Sequence, residues 1–140
     1  MTVPGGKRIR LAAALTALAL ILSMGSCGAG HARPADIAAQ VVKELSLSGQ
    51  LLTDLGPAEA YGRAAELYPP VRLCEGWAVF LPYDRGGCEF AVFLLDRAIP
   101  ADDLSFPAGS LVTAEGRYVL CELHTDIATP LALSLLYTDD

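Results

Sequence analysis

Hydrophobic residues occur along this chain in an unbroken run, then at a period near four, then at a period of two. The unbroken run, Leu11 to Leu22, holds only Thr16 as a polar position and ends in Ser23-Met24-Gly25-Ser26. A membrane-spanning helix needs roughly 20 apolar residues. A shorter run preceded by Lys7, Arg8 and Arg10 reads instead as a cleaved export signal.

The fourfold spacing follows at Ile37, Val41 and Leu45, with Ala38 and Val42 beside them, and predicts a helix with one apolar face. Pro34 and Asp36 suit its start, and Ser46-Leu47-Ser48-Gly49 its end. A second, shorter helix is predicted from Pro57 to about Leu67. Glu59 and Arg63 form a favourable pair four apart on it, and Pro69-Pro70 stop it.

The twofold spacing begins at Trp77-Ala78-Val79-Phe80-Leu81 and resumes at Cys88 to Leu95. The cluster Pro82-Tyr83-Asp84-Arg85-Gly86-Gly87 between them predicts a β-hairpin. Cys88, Phe90, Val92 and Leu94 share one face of the second strand. Its other face is only half polar, so the strand is expected to be covered on both sides. The stretch from Ile99 to Pro107 is broken by prolines and reads as loop. A third strand is expected from Gly116 to about His124, and a short apolar helix from Thr129-Pro130 through Leu136. The order predicts an α+β domain: a small antiparallel sheet, made of a central hairpin plus a later strand, with helices on one face. Trp77, Val79, Phe90, Val92, Val119 and Leu123 are expected in one core, with Ile37, Val41 and Leu45 packed over it.

Cys27 changes how the N-terminal segment reads. Met24-Gly25-Ser26-Cys27 resembles the lipobox of bacterial lipoproteins, in which the cysteine is acylated and becomes the new N-terminus. The rival is plain secretion, with a cut after Ala29 or Ala32. The expected organisation is a signal peptide over 1–26, a lipidated N-terminus and tether over 27–34, and one domain over 35–140. This places the protein on the extracytoplasmic face of the cell membrane, with secretion as the alternative. The membrane, reached through the lipid anchor, is the expected partner, together with an unidentified envelope protein. Losing residues 1–26 removes three basic residues and no acidic one, so the charge falls from −6 to −9. An acidic domain lacking clustered Lys and Arg is a poor partner for nucleic acid.

Chemistry is sparse. The chain has no Gly-x-Ser-x-Gly, no phosphate-cradling glycine loop and no HExxH, and nothing calls for a cofactor. No catalytic residue is assigned. His31 lies in the tether, and His124 at a strand end has no marked catalytic neighbour. Cys121 and His124 are three apart on a strand and point to opposite faces, so no metal site is assigned. Cys74, Cys88 and Cys121 are an odd set in an exported chain. A hairpin centred near Asp84-Arg85 sets Cys74 across from Leu95 and Cys88 near Leu81, so those two cysteines do not meet. Cys88 with Cys121 is the better candidate disulfide; the alternative is three small buried thiols.

The helix from Asp36 to Leu45, the hairpin from Trp77 to Leu95 and Gly116-Arg117-Tyr118-Val119 together resemble small Gram-positive lipoproteins of unknown function. That group implies no activity. Three functions therefore compete: a lipid-anchored binding or interaction module, an envelope enzyme using carboxylates around residues 100–110, and a structural envelope protein without a ligand.

Overall fold

In the computed structural model, residues 32–137 are described, and Arg33–Leu136 form one compact unit. Helix α1 spans Pro34–Glu44, with Pro34 in its first turn, where a missing N–H costs nothing. Asp36 in the first turn and Lys43 in the last oppose the helix dipole. Strand β1 (Gly49–Thr53) and helix α2 (Ala58–Leu67) follow, then a 3-10 turn over Pro69–Leu73. Strands β2 (Cys74–Pro82) and β3 (Glu89–Leu95) make the central hairpin. A loop leads to β4 (Leu111–Glu115), β5 (Tyr118–Leu123) and helix α3 (Ala128–Leu135). The five strands form one antiparallel sheet in the order β1-β2-β3-β5-β4.

The α+β class and the small antiparallel sheet stand as expected. Placement of the helices on one face is corrected. Ala60, Ala64, Ala65 and Tyr68 of α2 pack with Leu52, Trp77, Val79, Phe93, Val119 and Cys121 on one face. Helix α1 lies on the other, where a Cβ at Gly76 would meet the Pro34 ring at 3.1 Å. Helix α3 joins it there, tied to Glu122. The sheet is therefore the middle of three layers, which is why β3 is apolar on both faces.

The single core is corrected for the same reason. Cys74 does sit opposite Leu95, but a bulge at Glu75 then shifts the register, so Gly76 faces Leu94 and Trp77 faces Phe93. Without the bulge, Trp77 would face Val92. One extra residue moves every later side chain of the strand to the opposite face. Trp77, Val79, Val119 and Leu123 therefore share the α2 side, whereas Phe90 and Val92 share the α1 side. There Phe90 stacks on Phe80 with ring centroids 5.6 Å apart. Ile37 and Val41 are buried as expected, and Leu45, at the helix end, is half-buried.

Candidate functional site

Glu122 is the most organised polar group in the domain. It is the only charged residue among the described residues that is fully buried. Alternation along β5 turns it to the side of the sheet that α3 covers. Its Oε1 accepts the Thr129 N–H and hydroxyl, both at 2.8 Å. Its Oε2 accepts the Thr125 hydroxyl at 2.6 Å and the N–H groups of Ile127 and Ala128 at 2.9 and 3.2 Å. The first N–H groups of a helix have no partner within the helix. Glu122 supplies three of them at α3, with negative charge where the helix dipole favours it. Burial by itself raises the Glu122 pKa, but these hydrogen bonds outweigh it and hold the carboxyl below its ordinary value. Every lone pair is occupied from within the domain, so the group acts as a latch for α3 and is not free for acid–base work.

A second polar pair lies on the α2 side. The buried Tyr68 hydroxyl donates to Glu89 at 2.6 Å. Burial, then that bond, raises the tyrosine pKa far above its usual value, so the phenol stays protonated.

The three thiols are unbridged, and the candidate Cys88–Cys121 disulfide is corrected. Cys121 belongs to the α2-side core, whereas the Cys88 thiol points to Glu122 on the α3 side, 3.6 Å from Oε2. A sheet lies between them. Cys74 donates to the Pro70 carbonyl at 3.2 Å. Burial pushes Cys88 and Cys121 up to about 11 and Cys74 up to about 12. Thiols with those pKa values carry almost no thiolate near neutrality, so none is an activated nucleophile.

Other sequence candidates fall apart in space or lie elsewhere. Asp102 and Asp103 sit exposed in a short 3-10 turn. His124 is exposed and adopts φ +75°, which ends β5. Among the described residues no group of His, Cys, Asp and Glu is arranged to hold a metal ion. Cys27 and His31 lie outside the described residues.

The groove suited to a ligand runs beside β1, an edge strand that sequence reasoning missed. The Asp54 N–H donates to the Trp77 carbonyl, and the Tyr83 N–H to Ser48. Antiparallel pairing alternates, so Gln50 and Leu52 turn their backbone groups to β2. Gly49, Leu51 and Thr53 therefore turn theirs outward, and of these the Thr53 carbonyl accepts the Gly56 N–H at 3.1 Å. Next to this edge, Leu52, Pro57, Glu59, Ala60 and Arg63 line an open groove of about 280 Å³. Arg63 donates to Gln50 Oε1 at 2.8 Å and Glu59 stands exposed one turn away. A pocket for a small organic ligand typically has about 300–1,000 Å³. This groove is at or below that floor and open, which suits one or two side chains of an extended chain better than an enclosed molecule.

No family model matches the chain. Comparisons with curated proteins and with solved structures likewise find no match.

Proposed function

We propose that this protein is a lipid-anchored module of the cell envelope that binds an extended polypeptide segment of an envelope partner along the free edge of β1. The observation that carries this reading is the outward-facing backbone of Gly49 and Leu51 beside the α2 groove. An added strand gains main-chain hydrogen bonds from such an edge, and a neighbouring groove selects its side chains. The anchor is Cys27, as the lipobox-like Met24-Gly25-Ser26-Cys27 suggests. Two or more acyl chains hold a protein stably, whereas one holds it only marginally.

Both parts have a direct test. Cys27→Ser should release the protein from membranes or leave it at precursor size; unchanged fractionation at mature size sinks the anchor. Leu51→Pro removes one outward N–H, and proline is tolerated on an edge strand at such a position. Peptides selected from a random library on the parent should lose binding to the variant, provided both melt at similar temperatures. Equal binding to both proteins refutes strand addition.

A further inference from the structure

Helix α3 is apolar on its outer side as well as its inner one. No charged residue occurs from Ile127 to Leu136. Ala128, Ala132 and Leu136 are buried, whereas Ile127 is 49% and Leu133 37% exposed. Pro130 and Ser134 are exposed beside them, and Leu131 and Leu135 are half-buried. The other two helices differ. Helix α1 shows Asp36, Lys43 and Glu44 to solvent, and α2 shows Glu59, Arg63 and Glu66. A helix that is apolar all round is ordinarily covered all round.

The chain itself indicates what covers it. Helix α3 packs in the same layer as α1 and in contact with it. The chain enters that layer at Pro34, beside Gly76. Seven residue steps separate Cys27 from Pro34. Fully stretched they span roughly 24 Å, and as a flexible, small-residue link about 15 Å. An acylated Cys27 therefore keeps the start of α1, and the layer it shares with α3, within a short distance of the lipid headgroups.

We infer that the outer face of α3 rests on the bilayer surface to which the chain is tethered, with Ile127, Leu131 and Leu133 entering the interface. This rests on the anchor at Cys27. The contact is apolar and not electrostatic: the helix carries no charged residue, the exposed Asp126 just before it is an acid, and the mature chain at −9 has no attraction to anionic lipid. Its result is a fixed orientation, with the sheet standing between α3 at the membrane and the α2 groove facing away from it. The β1 edge and its groove are then presented to partners in the envelope space.

The test uses the full acylated chain, reconstituted in phosphatidylcholine vesicles. Tryptophan is introduced at the exposed positions in Leu133→Trp and, as the control on the opposite layer, Glu59→Trp. Trp77 is present in both and forms a constant background. Interfacial helices bury their apolar face about 5–10 Å deep. With acyl-brominated phosphatidylcholine, the added emission of Leu133→Trp should therefore fall at least about twofold, while that of Glu59→Trp stays unchanged. Raising salt from about 0.1 to 1 M should leave the quenching intact, since no surface charge is involved. Equal quenching at the two positions overturns the inference, as does a blue shift at 133 without quenching, which would mean that protein covers α3. If the chain does not float with the vesicles at all, the anchor fails, and this inference falls with it.

Discussion

Glu122→Gln tests the latch at the start of α3 with almost no change of shape. The carboxylate is acceptor-only, and its two oxygens receive five hydrogen bonds within 3.2 Å. An amide keeps one oxygen and replaces the other by a donor. In the better of its two orientations the oxygen stays with Thr125, Ile127 and Ala128. The new NH₂ then meets the Thr129 N–H, and the Thr129 hydroxyl can rotate to accept from it. One buried backbone donor is left without a partner, which costs about 1–3 kcal/mol. Bonds to a charged group are worth about 1.5–3 kcal/mol against about 1 for neutral ones, so the three retained bonds weaken as well. The expected loss is about 2–4 kcal/mol, a large share of a typical stability of about 5–15 kcal/mol. Urea unfolding reads it as a lower midpoint at unchanged slope. The pH dependence supplies a second check. The folded-state pKa of Glu122 lies below the ordinary value of a glutamate carboxyl. The stability it contributes is therefore complete above that value and is lost as pH falls through the depressed folded pKa. The gap between parent and Glu122→Gln should be full at pH 7 and close only as the pH falls below the ordinary glutamate range. A variant as stable as the parent at neutral pH, or a gap that does not change on acidification, would refute the latch.

The Tyr68–Glu89 pair makes a further prediction. Glu89→Ala leaves the buried Tyr68 hydroxyl unpaired and should cost about 1–3 kcal/mol, while Tyr68→Phe in the same chain should recover part of that loss; additive thermal-melt changes would exclude the coupling. Phe90→Ala, which empties a stacked position beside Phe80, should cost more, about 3–5 kcal/mol, by the same melts.

Much of the fold was legible because local spacing and long-range burial agree. The residues four apart from Ile37, the prolines around α2 and the Gly/Asp-rich turn after Pro82 each point to the element that forms. The edge strands were not legible. Gly49–Thr53 and Leu111–Glu115 are five residues each and only partly buried, so neither carries the alternation that marks a half-covered strand. With β1 unseen, the groove beside it was unseen too. The signal for Glu122 was also weak: a carboxylate one position from Leu123 on a strand reads as solvent-facing until α3 is known to fold over it.

The sequence by itself determined which segments are helical, where the hairpin turns and that the domain is α+β, because periodicity and turn residues act over a few positions. Only the tertiary structure decided which faces meet. The bulge at Glu75 adds one residue to β2, and with a side-chain period of two that suffices to put Trp77 on the α2 side, away from Phe90. The same alternation puts Cys88 and Cys121 on opposite sides of a sheet and Glu122 beneath α3. Partners far apart in the chain meet through pairing register, and a single-residue shift in register leaves the pattern of apolar residues unchanged.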